Sequence, residues 1–375
     1  MFELSFDYLL GMSAWLLLLP VAFWLLLKRR QTVRRQGRSL SLVNLGLSCW
    51  MLLAGLTAVE LYFAVIYDQS DSFNMTNVSQ KWFRRWVQQK PLKFAGREGI
   101  PYRDDVDFPM QLAPGQQHIV FIGDSFTFGH GVRHVADRFS NRVRVDLQQQ
   151  APGKVLVTNI ADAGKDLYWV SEVTDRLIAN KLPVTTLVYV LCLNDIETFD
   201  PDHRDQAPTN RVRRPPNFLL NDTYFFNLLY FRSQQATVPG VRDYYSHVEK
   251  SYAGIAWQRM FAKLATLHRD CRDAGIDFRV VVFPFLHNLG PNYPFRAAHE
   301  RIVEACQREQ IPCLDLLPVL EPHANERLTV NIFDAHPNER SHELAAQAIA
   351  GQLLRDVIDP EHVPGPKSTP PSEAP

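Results

Sequence analysis

Two long apolar runs near the start of the chain constrain its fold more than any other feature. Residues 9–27 carry no charge, and residues 40–67 carry only Glu60, close to the far end of the run. Within a bilayer every backbone polar group must be satisfied inside the segment, so a run of about 20 apolar residues folds as a spanning helix. We therefore predict a two-helix transmembrane hairpin over residues 1–67.

The loop between the runs, residues 28–38, holds six cations in eleven residues. Such loops stay on the cytoplasmic side, which turns both ends of the hairpin outward. The cations follow the first run and no small-residue cleavage site precedes the second, so a removable signal peptide is not expected. These features predict a multi-pass protein of the inner membrane whose remaining chain is periplasmic. The formal net charge of zero does not favour a nucleic-acid partner.

Outside the membrane region the most informative stretch is residues 118–129, HIVFIGDSFTFG. Its apolar half predicts a buried strand, and Asp124 and Ser125 fall where that strand ends. Ligands of open α/β sheets bind outside the carboxyl ends of the strands, so Ser125 stands where a nucleophile would stand. Asp-Ser at a strand end is also a common helix N-cap, and this stretch alone leaves both interpretations open.

A second stretch, residues 331–338, reads NIFDAHPN and places an acid and an imidazole two residues apart. Ester cleavage by a serine needs a base to take the hydroxyl proton and a carboxylate to orient that base. Ser125, His336 and Asp334 supply these three groups and are predicted to form a catalytic triad. The alternative is that Asp334 caps a helix and His336 is a surface residue.

Between these stretches, short apolar segments alternate with amphipathic ones, which predicts a three-layer α/β/α domain with a central parallel sheet. The predicted strands are residues 118–123, 155–160, 185–191, 278–284 and 313–316. The predicted helices are residues 137–150, 166–180, 252–274, 295–309 and 338–358. No Walker loop, dinucleotide-binding glycine pattern or zinc-ligand spacing occurs, so neither a cofactor nor a metal is expected.

The motifs resemble those of the SGNH (GDSL-like) hydrolase superfamily over roughly residues 117–356. Ser125 matches the serine of the first motif, Gly164 the glycine of the second, Asn194 the asparagine of the third and His336 the histidine of the last. The resemblance implies a flavodoxin-like fold and an esterase whose oxyanion hole is formed by the backbone N–H groups of Ser125 and Gly164 and the Asn194 amide.

Two positions depart from the family pattern. Cys192 stands where the third motif normally has glycine, and Asp334 and His336 are separated by one residue instead of two. The short Asp-x-His spacing is known among relatives that acetylate bacterial polysaccharides. The sequence therefore favours an extracytoplasmic serine ester hydrolase, with an O-acyltransferase acting on a cell-envelope glycan as the alternative. A glycan-binding or assembly module without catalysis is a third hypothesis.

Residues 117–358 are predicted to form the catalytic domain, with residues 68–116 as a connector and 359–375 as a disordered tail. A long segment, residues 200–250, is predicted to be a cap insertion that sets substrate choice, because so long a loop is rarely without function. Arg211, Arg213 and Tyr224 in it, together with His287, are the predicted substrate-binding residues. Its aromatic side chains could equally form a packing face, and the acyl-ester substrate could be a glycan or a lipid. Cys306 and Cys313 are predicted either to close a short disulfide loop or to stay buried free thiols.

Overall fold

The computed structural model describes residues 4–97, 99–200, 212–213 and 215–358. Arg211 and the predicted disordered tail, 359–375, lie outside the described residues, and so does residue 214.

Helices and strands are numbered here in chain order. The helices are α1 (Phe6–Arg35), α2 (Ser41–Leu61), α3 (Asn77–Phe83), α4 (Ser125–Phe128), α5 (Phe139–Gln150), α6 (Leu167–Ala179), α7 (Phe218–Asp222), α8 (Phe225–Thr237), α9 (Pro239–Arg242), α10 (Tyr244–Ser251), α11 (Ile255–Asp273), α12 (Arg296–Arg308), α13 (Leu317–Leu320), α14 (Glu339–Ala348) and α15 (Arg355–Ile358). The strands are β1 (Lys93–Ala95), β2 (Ile100–Tyr102), β3 (Gln117–Gly123), β4 (Val155–Ala161), β5 (Thr186–Cys192), β6 (Asp277–Phe283), β7 (Cys313–Asp315), β8 (Thr329–Asn331) and β9 (Asp334–Pro337).

The described residues form two compact units, which divide the chain differently from the predicted domains. The first unit comprises residues 4–89 and 212–243, and the second comprises residues 90–200 and 244–358. The predicted connector is therefore split after Gln89. Most of the described part of the predicted cap insertion belongs to the unit of the apolar helices instead of the unit that contains Ser125.

The first unit is built on the two apolar helices. Residues Phe6–Arg35 and Ser41–Ile66 have mean hydropathies of 2.1 and 1.9 and are long enough to cross a membrane. Two indole N–H groups join them, one from Trp15 to the Thr57 hydroxyl at 2.9 Å and one from Trp50 to the Leu19 carbonyl at 2.8 Å. Most of the remaining apolar side chains of both helices point outward and are exposed.

Glu60, the one charge in the second apolar run, has its partners inside the first unit. Its side chain is buried and accepts hydrogen bonds from the backbone N–H groups of Tyr224 and Phe225, at 2.7 and 2.8 Å. These N–H groups open α8 and have no partner within that helix, so the carboxylate satisfies them and lies at the positive end of the helix dipole. Backbone donors of another segment thereby satisfy the hydrogen-bonding needs of a buried carboxylate in an apolar helix.

The second unit contains a parallel sheet of five strands in the order β4-β3-β5-β6-β7. This is the strand order of a flavodoxin-like doubly wound sheet, and it confirms the predicted fold class. The predicted strands agree with the observed ones to within one residue at each end. Strand order reverses between β3 and β5, which makes the crevice at their carboxyl ends the expected ligand site.

Both faces of the sheet are covered, because the central strands are apolar at almost every position. All seven residues of β5 are buried, as are six of the seven in β3. Residues 90–116 also contribute to this core through Ile100, Tyr102 and Phe108. The buried Asp104 carboxylate accepts hydrogen bonds from Asn141 and Arg144, so this half of the predicted connector is part of the sheet domain.

The cysteine pair proposed for a disulfide lies in the second unit. Cys306, at the end of α12, and Cys313, at the start of β7, are free thiols. The Cys306 side chain is a hydrogen-bond partner of Cys313, and this contact together with burial raises the pKa of the Cys313 thiol well above its usual range. The structure therefore shows the thiol form of the pair.

Candidate active site

Ser125 lies directly beyond the carboxyl end of β3, in a turn that tolerates little side-chain volume. A Cβ on Gly123 would stand 2.4 Å from the Thr127 hydroxyl and 2.7 Å from the Val190 carbonyl, so only glycine fits between β3 and β5 there. Asp124 then caps the short helix α4, with its side chain accepting from the Phe126 N–H at 2.8 Å. Asp124 is thus an N-cap, and Ser125 is the first residue of the helix that it caps, beyond the end of β3.

Asp334 and His336 lie on β9, which pairs with β8 in an antiparallel hairpin. The sequence predicted a helix start near Pro337, and the helix α14 does begin at Glu339, but the hairpin before it was not predicted. Residues two apart on a strand point to the same side. The Asp-x-His spacing therefore places both side chains on one face, without the extra residue of the usual family pattern.

The three predicted triad side chains form one chain of hydrogen bonds. His336 Nε2 is 2.8 Å from Ser125 Oγ, and His336 Nδ1 is 2.6 Å from Asp334 Oδ1. Asp334 Oδ1 also accepts the backbone N–H of His336 at 3.1 Å. Asp334 is fully buried and Ser125 is half-buried, so the acid is shielded from water while the hydroxyl remains accessible.

His130 is a residue of this site that the sequence did not indicate. Its backbone N–H donates to the Ser125 carbonyl at 2.9 Å, and its side chain is buried. His130 Nε2 is 3.7 Å from Asp334 Oδ2, and the rings of His130 and His336 are 4.5 Å apart. Asp334 thus lies between two imidazoles. The one sequence signal for His130 is its position five residues after Ser125. Its contact with Asp334 could not be predicted, because β9 comes from the other end of the chain.

The same side chains have to be considered as metal ligands. One potential ligand atom from each of His130, Asp334 and His336 lies within 4.8 Å of the others. Both ring nitrogens of His336 already have partners, Nδ1 with Asp334 and Nε2 with Ser125. A cation bound here would separate His336 from one of them, so the arrangement fits an acid–base triad better than a metal centre.

The predicted oxyanion donors are located at the ends of three neighbouring strands. Ser125 follows β3, Gly164 follows β4 and Asn194 follows β5. Gly164 is exposed and has a φ of +73°, a backbone conformation that favours glycine. Asn194 is a hydrogen-bond partner of the Asp124 carboxylate, so its amide lies next to the residue that precedes Ser125.

Cys192, the departure in the third motif, is the last residue of β5 and is fully buried. The Asp195 carboxylate closes this turn by accepting the Cys192 N–H at 3.3 Å and the Tyr189 hydroxyl at 2.6 Å. Burial raises the pKa of Asp195 well above its usual range, and the nearby Asp124 raises it further. The turn that presents Asn194 is therefore held by side-chain contacts.

We expect Asn194→Ala to lower kcat for an aryl ester by about 10²–10³ with a much smaller change in KM, because an oxyanion donor acts mainly in the transition state. Steady-state kinetics of the purified full chain would measure it. Asn180→Ala, at the end of α6, is the matched control because its amide donates only to a helix carbonyl within the part of the chain that the structure describes. A kcat equal to that of the unmodified protein would remove Asn194 from the oxyanion hole.

His287, one of the predicted substrate-binding residues, follows β6 in the same unit as Ser125. Its ring contacts Tyr245, with a centroid distance of 3.7 Å, and lies beside Phe285. Aromatic contacts continue from Phe285 through Phe126 to His336, with centroid distances of 6.5 and 5.4 Å. Burial lowers the pKa of His287 to about 4, so its imidazole is neutral at pH 7. This aromatic wall connects His287 to the triad.

The other predicted substrate-binding residues that the structure describes, Arg213 and Tyr224, belong to the first unit. Tyr224 is 3% exposed and packs edge-on against Tyr8 in the small core of the first unit, a position that favours a structural role for its ring. Arg213 is exposed in the same unit, and its carbonyl accepts the Tyr230 hydroxyl. Arg211 lies outside the described residues. The other rings of the aromatic run, Phe225, Phe226, Tyr230 and Phe231, are half-buried.

Glu197, in the turn after Asn194, gives this site a pH-dependent contribution to stability. Burial raises its pKa to about 7. A folded-state pKa above the unfolded value stabilises the fold at low pH, and the contribution is lost as the pH rises through about 7.

We expect Glu197→Gln, which mimics the protonated acid, to gain about 2–3 kcal/mol of stability relative to the unmodified protein between pH 5 and pH 8. Denaturant unfolding of both proteins at the two pH values would measure the difference. Glu304→Gln, at an exposed position on α12, controls for the loss of one charge. A stability difference between Glu197→Gln and the unmodified protein that does not change with pH would contradict the prediction.

Comparisons with known proteins identify the family to which the chain is similar. Residues 121–344 match the GDSL-like Lipase/Acylhydrolase family, which is more than half of the chain. Solved structures with a similar fold include TesA, at 14% identity, with 64% of this chain and 99% of that chain covered and a TM-score of 0.42. An acetyl-xylooligosaccharide esterase from Geobacillus Stearmophilus is 15% identical, with 65% and 95% covered and a TM-score of 0.40.

A third structure, the psychrotrophic esterase EstA from Pseudoalteromonas sp. inhibited by monoethylphosphonate, is 12% identical, with 64% of this chain and 99% of that chain covered and a TM-score of 0.39. No curated protein matches the chain.

Proposed function

The chain belongs to the GDSL-like lipase/acylhydrolase family of ester-hydrolysing enzymes, and we propose that it is a membrane-anchored, extracytoplasmic serine esterase that works through an acyl-enzyme on Ser125. One observation carries the mechanistic proposal: the unbroken hydrogen-bond chain from Ser125 Oγ through His336 to the buried Asp334. A serine hydroxyl with this pair of partners has what acyl transfer requires of a nucleophile.

In the first half-reaction, Ser125 Oγ attacks the ester carbonyl carbon and its proton moves to His336 Nε2. Asp334 holds Nδ1 and stabilises the imidazolium that forms. The negative oxygen of the tetrahedral intermediate is stabilised by the Ser125 and Gly164 N–H groups and the Asn194 amide. Collapse breaks the ester C–O bond, and the departing alcohol takes the proton from His336. The product of this step is an ester between Ser125 and the acyl group.

In the second half-reaction, His336 removes a proton from the incoming hydroxyl, which attacks the acyl carbon; the bond from that carbon to Ser125 Oγ breaks, and His336 returns the proton to Oγ. Water gives hydrolysis, whereas a sugar hydroxyl gives O-acylation of a glycan. The short Asp-x-His spacing supports the acyltransferase alternative, and the observed strand β9 explains how that spacing still forms a triad. The third hypothesis, a glycan-binding or assembly module, predicts that Ser125 is unreactive.

For substrate recognition we retain His287 as a proposed contact, together with Tyr245 beside it. Both belong to the aromatic wall that begins at His336. A neutral imidazole and a phenol ring suit the apolar and hydroxyl groups of an acyl ester better than they suit an anion. The substrate class proposed here is therefore an uncharged acyl ester, carried by a glycan or by a lipid.

A fluorophosphonate probe tests the acyl-enzyme mechanism on the full chain in detergent. The Ser125 oxygen should form a bond to phosphorus with loss of fluoride, and the modified peptide can be identified by mass spectrometry. Ser125→Ala should not be labelled. Labelling elsewhere, or none in either protein, would favour the module hypothesis. Mass analysis of products from an activated acetyl ester, with and without glycan fragments, then separates hydrolysis from transfer.

The proposed topology places both termini outside and residues 28–38 in the cytoplasm. The cations of residues 28–38, five of which lie in the last turns of α1, and the acids Asp7, Asp68 and Asp71 at the opposite ends of the helices support it. We expect alkaline phosphatase fused after Asp68 to be active, because that enzyme requires disulfides that persist only outside the cytoplasm. A phosphatase inserted in the loop should be inactive. An inactive fusion after Asp68 that is well expressed would reverse the topology.

A further inference from the structure

We propose that residues 215–238, here called the interfacial segment, lie in the outer leaflet of the membrane and contact lipid directly. This inference rests on the membrane hairpin of the proposed function. The segment contains α7 and α8, and only two of its 24 residues are charged, Asp222 and Arg232. So few charges leave apolar side chains of the segment free to contact lipid.

The interfacial segment packs against the first two turns of α1. The Phe218 ring lies on Gly11, and a Cβ at Gly11 would stand only 2.9 Å from it. The Tyr224 ring meets the Tyr8 ring edge-on, with centroids 5.0 Å apart. Because α1 begins at Phe6, both contacts lie at the end of the helix that the proposed topology turns outward.

The segment also packs against the last turns of the second apolar helix. Glu60 accepts both backbone N–H groups that open α8, and the Phe63 and Phe225 rings are 5.4 Å apart. Lys81 completes this end by donating to the carbonyls of Phe63, Ala64 and Tyr67, at 2.9, 2.9 and 2.7 Å. The contacts to both helices fix the interfacial segment at the level where the two spans leave the bilayer.

The largest outward side chains of the segment are apolar, and its other exposed side chains are small or uncharged, Asn217 and Asn221 among them. Phe218, Leu219 and Leu229 are each about half exposed, at 52%, 50% and 48%. The exposed positions of α8 are otherwise Ser233, Ala236 and Thr237, so no charge interrupts that face. The surface continues the exposed apolar side chains at the end of the second helix, which include Val65 and Ile66. Lipid that surrounds the spans is therefore the occupant of this surface.

Depth-dependent quenching of fluorescent labels would test the proposal on the full chain in 3:1 phosphatidylcholine–phosphatidylglycerol vesicles. The labels would be placed at Leu219→Cys and Leu229→Cys in a Cys49→Ser background, and the quencher would be a nitroxide near the glycerol end of the acyl chain. Both positions are exposed, so the substitutions remove no core contact, and thermal unfolding verifies the fold. The unmodified chain, labelled at the exposed Cys49 on α2, gives the reference within the bilayer. Gln149→Cys on α5, in the Cys49→Ser background, gives the reference in water.

We expect the nitroxide lipid to quench the labels at positions 219 and 229 several-fold more strongly than the label at Gln149→Cys. If Cys49 is quenched but positions 219 and 229 behave like Gln149→Cys, the interfacial segment faces water and the inference is wrong, while the hairpin stands. If both labels are shielded from water yet not quenched, protein covers them, and the inference is also wrong. Absence of quenching at Cys49 itself would overturn the membrane hairpin.

Discussion

Ser125→Ala is expected to reduce kcat for hydrolysis of a short-chain aryl ester by about 10⁴-fold or more. The substitution removes the oxygen that forms the acyl-enzyme and leaves His336 without the acceptor–donor partner 2.8 Å from its Nε2. Because Ser125 is only half-buried and its backbone conformation suits alanine, the fold should be kept. The rate would be measured on the full chain in detergent, with substrate above KM so that kcat is read directly.

Ser233→Ala is a suitable control, since it removes an exposed serine hydroxyl from the first unit. It should retain the rate of the unmodified protein. Equal rates for Ser125→Ala and the unmodified protein would exclude Ser125 as the nucleophile, and the hydrolysis would then come from other groups. Reaction with a fluorophosphonate measures the reactivity of Ser125 Oγ independently. A test ester that the enzyme does not accept can therefore be distinguished from an unreactive serine.

Asp334→Asn is expected to lower kcat by about 10⁴-fold while KM changes little. Asp334 Oδ1 accepts both the backbone N–H and the Nδ1–H of His336, whereas asparagine carries no negative charge and presents an acceptor oxygen there in only one of its two amide orientations. If the amide nitrogen faces Nδ1, His336 must carry its proton on Nε2 and can no longer accept the proton of Ser125. The pH–rate profile should change together with kcat, because the carboxylate no longer stabilises the imidazolium.

The second unit offers a matched control for this substitution. His299 Nδ1 and Asp315 Oδ1 form a similar pair at 2.7 Å, between α12 and β7. Asp315→Asn should affect stability while leaving kcat within a few-fold of its original value. If Asp315→Asn and Asp334→Asn reduce kcat equally, the loss would reflect general damage to the fold, and Asp334 would have no special role in the triad.

Much of the second unit follows from local sequence. Its sheet strands are apolar at consecutive positions, a pattern that a strand buried on both faces requires, and so their bounds could be predicted closely. Ser125 was identified from its place after such a strand. Asp334 and His336 were identified from chemistry alone, because the hairpin that carries them is only three to four residues per strand and has no apolar alternation.

The surroundings that sequence analysis did not predict arise from contacts between distant parts of the chain. Tyr224 carries a ring that could serve a substrate or a core, and only its contact with Tyr8 decides between them. His130 belongs to the site because its side chain lies beside Asp334, which is about 200 positions away in the sequence. From the sequence alone, Glu60 is expected to destabilise a membrane helix, because a charge in the bilayer is costly. The two N–H groups of α8 that bind it become apparent only in the structure. Periodicity and motif spacing contain no information on such pairings.

Under the proposed membrane anchoring, the division of the chain between the two units has a consequence for release of the domain that holds Ser125 by proteolysis. The chain passes from one unit to the other three times, because residues 212–243 return to the unit of the apolar helices. One proteolytic cut after Gln89 would leave the domain that holds Ser125 covalently attached through Tyr244. The segment before Tyr244 is in turn retained by Glu60 and by Asn77, whose N–H donates to Asn227. Under the proposed anchoring, a single cut therefore leaves the domain that holds Ser125 attached to the first unit, and no soluble product is expected from it in a secretion assay.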